Sequence, residues 1–192
     1  MNKEGIDYTF PHRSLQEFFA ANYISGLSDK NKLVIFKKIK DSIEDRWFYL
    51  IDNHHFLTLL GEQDYNSILN LLVLPLLKNE FEKATKTKAT DYNEKYDIIC
   101  KVFLISAHLI QSEQREEKIQ KDFCKDHRPK VIIMMNDKSK FSLPDKKFEE
   151  VKKKDVDSSF EFLTKNSEIW IKDIQKNLDE LEKSDSDIIE II

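Results

Sequence analysis

Residues 8–25 read YTFPHRSLQEFFAANYIS, a stretch that contains a short extended segment, a turn and the start of a helix. Asp7–Phe10 alternates polar and aromatic side chains, which is the period of a strand. Pro11 disfavours a helical backbone in Phe10, the residue before it. We therefore predict that the chain enters as a short extended or strand arm and then turns.

The turn leads into a predicted helix. Ser14 and Glu17 have the spacing of a capping box, in which the Glu17 amide donates to the Ser14 hydroxyl and the Ser14 amide donates to the Glu17 carboxylate. This spacing predicts a helix that begins at Leu15, and Gly26 marks its end. One apolar face is predicted from the residues at helical spacing, which are Leu15, Phe18, Phe19 and Tyr23. Two small residues would let a neighbouring element approach closely, Ala20 and Ala21.

The composition is that of a helical protein. Among 192 residues there are only 3 glycines and 4 prolines, while 34% are charged. Sheets need frequent turns, and turns are built mostly from those two residue types. We predict an all-α fold, an irregular array of helical hairpins, with a short extended or strand arm at the N-terminus and a second candidate strand near 130–135.

Charge and cysteine content argue against several classes of protein. The formal net charge is -4, so the chain has no general attraction to nucleic acid or anionic lipid. The longest apolar run, Ile68–Leu77, is about half the roughly 20 residues that a membrane span requires. The 2 cysteines and the lack of a secretory leader indicate free thiols in a reducing compartment. We predict a cytoplasmic protein that binds neither membranes nor nucleic acid.

Helical periodicity divides the chain into four predicted regions. They are residues 1–27, with the arm and the first helix; 28–128, a helical domain; 129–157, a lysine-rich linker or loop that contains Pro144; and 158–192, a C-terminal helix with an acidic tail. The apolar and acidic end of that tail could dock on a partner.

The helical domain contains several predicted helices. Lys32–Ile51 predicts the second helix of the chain, and Phe56–Leu60 a short one that ends at Gly61. Pro75 should kink or divide the helix predicted for Tyr65–Phe81. Asp97–Ile110 is apolar on nearly every side, and we expect it to be the most buried helix.

Sulfur and nitrogen ligands for zinc are present but poorly spaced. The candidates would be Cys100, His108, Cys124 and His127. Structural zinc sites favour C-x-x-C pairs, which this chain lacks, and Cys100 and His108 are two helical turns apart. We therefore predict no metal site, with Cys100 in the core and Cys124 a small, partly buried thiol.

Other polar groups are better explained as solvated surface than as catalytic or nucleic-acid-binding residues. His54 and His55 have no identifiable serine or cysteine nucleophile beside them, so a solvated pair at a helix end is the preferred interpretation. A HEPN-type ribonuclease has an arginine and a histidine close together in the sequence. Arg46 and His54 are too far apart for that pattern. Acidic residues interrupt the lysines at 146–147 and 152–154, so a solvated loop is favoured over a nucleic-acid site.

The opening stretch resembles a motif of NACHT-type STAND proteins, signal-transduction ATPases that include NOD-like receptors and bacterial antiviral relatives. The motif has the form F-x-H-x-x-x-Q-E-[FY]-x-A-A. The matching residues here are Phe10, His12, Gln16, Glu17, Phe18, Ala20 and Ala21. Trp47 followed by FLTLLG at 56–61 is similar to a stretch that often follows in that family. The resemblance covers roughly the first third of the chain.

The resemblance implies a place and a role for this segment. In that family the motif lies where a winged-helix domain ends and a helical domain begins, so residues 1–27 would be the end of a winged-helix-like region. The matching histidine contacts the phosphates of bound ADP and holds the receptor closed, which makes His12 the candidate nucleotide-sensing residue. An imidazole before a helix N-terminus suits an anion on physical grounds too, because it adds a donor to the free backbone amides.

The chain itself lacks the parts that bind nucleotide phosphates. Nothing in it resembles G-x-x-x-x-G-K-[ST], and its 3 glycines cannot build a phosphate-cradling loop. The leading hypothesis is a non-catalytic regulatory or sensor segment of such an ATPase, in antiviral defence or innate-immune-like signalling. It would need no cofactor of its own, whereas the parent would bind ADP or ATP with Mg²⁺. Its partners would be the NACHT nucleotide-binding domain, in cis or in trans, and another protein at the distal helices. The alternative is a free-standing helical protein-interaction scaffold.

Overall fold

The computed structural model describes residues 13–87, 92–109, 123 and 146–189. Nearly all of these residues are helical and none of them lies in a strand, which confirms the all-α prediction. The predicted N-terminal arm and the candidate strand near 130–135 lie outside the described residues.

Short connections join most of the helices. Their bounds are α1 Arg13–Ser25, α2 Asp29–Asp45, α3 Tyr49–Asp52, α4 His54–Gln63, α5 Tyr65–Ile68, a π-helical segment Leu69–Val73, α6 Leu74–Lys86, α7 Tyr92–Leu109 and α8 Lys146–Ile189. The first helix ends directly before Gly26, as predicted.

The helix predicted for Lys32–Ile51 is two helices. α2 ends at Asp45, and Arg46 adopts an extended backbone with φ -145° and ψ 93°. Trp47 and Phe48 stack at this corner, with ring centroids 3.9 Å apart. The periodic pattern continued through Trp47 because this residue packs against the core on the far side of the break.

α4 continues past Gly61, so the predicted helix end at this glycine is wrong. Gly61 is buried inside α4, and the helix ends at Gln63. The residue that separates α4 from α5 is Asp64, whose carboxylate accepts a hydrogen bond from the Ser67 amide at 3.2 Å. The break is therefore made by an N-cap aspartate rather than by the glycine.

Pro75 divides the next helix, as predicted, and the division takes the form of a π-helical segment. A proline cannot donate to the carbonyl four residues before it, and in a regular α-helix its ring would clash with that carbonyl. The wider turns at Leu69–Val73 come directly before α6, in which Pro75 occupies the first turn. The segment stays in the core, with Leu69, Leu72 and Val73 buried.

The core is centred on α6, α7 and α8, which pack against one another. α7 is buried on nearly every side, as predicted, through Ile98, Ile99, Cys100, Val102, Phe103, Leu104, Ile105 and Leu109. Trp170 of α8 is fully buried, with its ring centroid 5.9 Å from those of Phe81 and Phe123. The aromatic cluster thus joins α8 to α6 and to Phe123.

α8 begins at Lys146 and has 44 residues, which makes it about 65 Å long. The predicted linker 129–157 is therefore helical from 146 onward, and the lysines that we placed in a solvated loop lie in a helix. Burial explains the difference, because Val156 is part of the core. Lys95 of α7 is buried beside it, 2.6 Å from the Asp157 carboxylate and 5.4 Å from the centroid of the Phe160 ring.

Candidate interaction surface on the first helix

α1 turns most of its large apolar residues away from the bundle. Phe18 and Leu15 are each 44% exposed, Phe19 is 52% exposed and Tyr23 is 68% exposed. An amphipathic helix usually directs such a stripe to the core. The buried residues of α1 are instead Ala21 and Ile24. The predicted apolar face exists, but within the described structure it is a surface.

α1 lies parallel to α4, and polar contacts at both ends set their register. The Glu17 carboxylate contacts His55 across a sequence separation of 38 residues, and the Ser25 hydroxyl oxygen lies 3.3 Å from Gln63 Oε1 across the same separation. Equal separations at two points show that the helices run side by side in one direction. Ala21 lies midway between Glu17 and Ser25 on α1 and is fully buried. Its small side chain lets α1 approach α4 closely, as predicted for this motif.

An ionic cluster occupies the side of α1 that faces α4. Arg13 Nε donates to Glu17 Oε1 at 2.8 Å, and His55 Nδ1 lies 2.7 Å from Glu17 Oε2. The Arg13 guanidinium also donates to the Asp52 carbonyl at 2.8 Å. Arg46 approaches the Asp52 carboxylate at 3.2 Å. Charged groups thus hold the N-terminal half of α1 on the bundle, where an apolar stripe would be expected.

The predicted capping box is not formed, because α1 already includes Arg13 and Ser14 lies inside it. Glu17 instead bonds to its own helix and to α4. The Arg13–Glu17 contact has i,i+4 spacing and could have been read from the sequence. The contact with His55 could not, since no local pattern connects residues so far apart in the chain.

The environment of Glu17 shifts its pKa. Partial burial acts to raise the pKa of this carboxyl, but hydrogen bonds from His55 and Arg13, together with the charge of Arg13, outweigh it and hold the pKa below its usual value. A carboxyl with a lowered pKa in the folded state stabilises the fold above its unfolded pKa of about 4.5. That contribution disappears as the pH falls through the lowered value.

We expect Glu17→Gln to destabilise the protein at pH 7 by about 0.5–1 kcal/mol, because its ion-pair partners are half or more exposed. The difference from the parent protein should shrink below pH 4.5, as the native carboxyl becomes protonated. Urea unfolding monitored by circular dichroism at several pH values measures both effects. Glu62→Gln, an exposed position on α4, serves as the control and should change neither value. A difference that persists unchanged at pH 2–3 would contradict the assignment.

The remaining motif residues divide between surface and interface. Gln16, Phe18 and Ala20 are exposed, whereas Ala21 is buried and Glu17 is intermediate. His12 and Phe10 lie outside the described residues. The motif therefore contributes side chains to both sides of α1.

The outer face of α1 carries no charge. From Ser14 to Tyr23 every exposed residue is uncharged, and the single charged residue in that range, Glu17, points toward α4. This contrasts with a chain in which 34% of residues are charged. Solvent-facing helix surfaces are normally the charged ones, so a neutral and aromatic surface indicates a contact region.

The other sequence candidates lie outside this surface. His54 and His55 lie at the start of α4 and are both exposed, as expected for a helix-end pair, but His55 also contacts the Glu17 carboxylate of α1. Cys100 is buried in the core, as predicted. In the described part of the chain, no group of three or more histidine, cysteine or acidic side chains could hold a metal, while Cys124 and His127 lie outside it.

A groove lies between α6 and α8, with a volume of about 640 Å³. Its charged lining alternates in sign, with Lys78, Lys165 and Lys172 beside Glu82 and Glu168. Such a lining favours neither an anion nor a cation. This groove is therefore a weaker candidate for specific binding than the outer face of α1.

No described helix has the combination of length and apolar character that crossing a bilayer demands. Comparison with protein-family models, with curated protein sequences and with solved structures gives no match for this chain.

Proposed function

We propose that this chain is a non-catalytic helical regulatory or sensor segment of a NACHT-type STAND ATPase, in bacterial antiviral defence or innate-immune-like signalling. Two things support the proposal. The motif residues from Phe10 to Ala21 match the family pattern. The helix that carries most of them offers an open apolar face to a neighbour.

The observation that carries the proposal is the orientation of α1. If the motif served only to pack this helix on its own bundle, the large apolar residues would face inward. Phe18, a motif residue, instead lies on the exposed stripe, while Glu17 and Ala21 secure the opposite side to α4. A helix held on one side and apolar on the other suits a position between two domains.

The proposed mechanism is a shift between two populations. His12 comes immediately before Arg13 in the sequence, where the described part of α1 begins, and an imidazole beside the free amides of a first helical turn would favour an anionic phosphate. ADP bound by the neighbouring nucleotide-binding domain would stabilise the closed arrangement through this contact. A ligand at the distal helices would favour the open arrangement, and its effect could not exceed its difference in affinity for the two states.

The test begins with the DNA upstream of the codon for Met1. We expect an in-frame segment that encodes G-x-x-x-x-G-K-[ST], the phosphate-binding loop that this chain lacks. The complete protein should then retain ADP through purification. His12→Ala should lower the ADP content about tenfold, the loss expected for one hydrogen bond to a charged group.

His54→Ala is the matched control, because His54 is also a histidine at a helix N-terminus, and it should leave the ADP content unchanged. Residues 1–192 alone should show no ADP binding by calorimetry. A natural reading frame without the phosphate-binding loop, or ADP retention that is insensitive to His12, would contradict the proposal.

The second candidate is a free-standing helical scaffold for a protein partner. The specific observation in its favour is that the exposed stripe on α1 would suit any apolar partner, whether or not a nucleotide is involved. The absence of an upstream nucleotide-binding segment would favour this alternative.

A further inference from the structure

We infer that the outer face of α1 pairs with the same face of a second copy of this chain, through a two-fold antiparallel helix contact. The inference uses the surface on which the proposed function depends, but it does not depend on the family assignment. It concerns residues 1–192 alone, when no other domain covers α1.

Charge is the first argument for a second copy. An isologous interface places each residue patch against its own equivalent, so a charged patch would bring like charges together. The exposed residues from Ser14 to Tyr23 are all uncharged. The two patches can therefore meet without bringing like charges together across the contact, although each chain carries a net charge of -4.

The distribution of the apolar residues is the second argument. α1 runs from Arg13 to Ser25, and Phe19 is its middle residue. Leu15 lies one turn before Phe19 and Tyr23 lies one turn after it, on the same face. In an antiparallel pair the two Phe19 rings would meet at the two-fold axis, and Leu15 of each copy would pack against Tyr23 of the other. The stripe is thus spaced for pairing with itself.

Area is the third argument. A large apolar or aromatic side chain has about 200 Å² of surface, so the exposed parts of the four stripe residues provide roughly 400 Å² in each copy. Two copies could bury at most roughly 800 Å² from these residues alone. The uncharged neighbours Gln16, Ala20 and Asn22 would extend the contact toward the lower end of specific interfaces, about 1,200 Å². We expect a reversible dimer with a dissociation constant on the order of 10 µM.

Sedimentation velocity on the full chain, over roughly 1–200 µM, tests this directly at concentrations on both sides of the expected constant. We expect a shift from monomer to dimer. Phe19→Asp should raise the dissociation constant at least about a hundredfold, because it places two carboxylates at the axis. Ile169→Asp, which replaces a similarly exposed apolar residue on α8, should leave the dimer intact.

A cross-linking experiment covers the case in which Phe19→Asp disturbs folding. Phe19→Cys should form an intermolecular disulfide with diamide as the oxidant, because residues at a helix two-fold axis approach within disulfide range. Ile169→Cys should cross-link much more slowly. A monomer at all concentrations, or equal cross-linking of the two variants, would refute the pairing.

The two proposals can fail separately. A monomeric chain whose gene continues upstream into a phosphate-binding loop would overturn the pairing and leave the proposed function standing. A dimeric chain whose gene has no such loop upstream would overturn the proposed function and leave the pairing standing.

Discussion

Trp170→Ala is expected to destabilise the protein by about 3–5 kcal/mol, the range for removing a fully buried aromatic side chain. Trp170 has no exposed surface, and it contacts the rings of Phe81 and Phe123. Its loss would leave a cavity where α6 and α8 meet, and the three helices of the core could close this cavity only in part. For a domain of this size the melting temperature should fall by roughly 10 °C.

Ile169→Ala is the natural control for this substitution. Ile169 adjoins Trp170 in the sequence but is 53% exposed, so its truncation should cost less than about 1 kcal/mol. Urea denaturation followed by circular dichroism at 222 nm compares the two variants. If both lost the same stability, the aromatic cluster could not be the centre of the core.

Ala21→Glu should have an effect of similar size at the contact between α1 and α4. Ala21 is fully buried on the side of α1 that packs on α4. A glutamate there would either bury an unpaired charge or force α1 away from α4, and we expect a loss of about 3–5 kcal/mol or the undocking of α1. Helix propensity does not explain such a loss, since glutamate is a good helix former.

The adjacent residue provides the matched comparison. Ala20 is exposed, so Ala20→Glu should change the stability of the monomer, measured well below the expected dissociation constant of the dimer, by less than about 0.5 kcal/mol. Hydrogen exchange would show whether α1 alone is released in Ala21→Glu, as local unfolding predicts. Equal stability of the two variants would mean that α1 does not pack on α4 through Ala21.

The helices differ in how well the sequence predicted them. Asp97–Ile110 lacks a polar side, so any packing arrangement must bury it, and α7 is the buried central helix. The helical nature of Lys32–Ile51 was equally clear from its period. The break at Arg46 was not, because the periodic pattern continues through Trp47 on the far side of the turn.

The start of α8 shows a different limit. Residues 146–157 are rich in lysine and were predicted to be a linker, yet they form the first part of a helix. Lysine has a good helix propensity, and its stem can lie along apolar surface while its charge reaches water. What makes the segment part of the fold is Val156 in the core and the Lys95–Asp157 pair with α7, contacts that local sequence does not reveal.

Sequence alone determined that this chain is helical, that α1 carries a strongly periodic apolar stripe, and that Pro75 interrupts the regular helix that contains it. Periodicity and the missing proline amide are local properties, and they act wherever the helix is placed. Only the tertiary structure decided which side of α1 meets the bundle. Ala21 and the ions around Glu17 lie against α4 because α4 supplies His55 at the matching height, and the aromatic stripe is left facing outward.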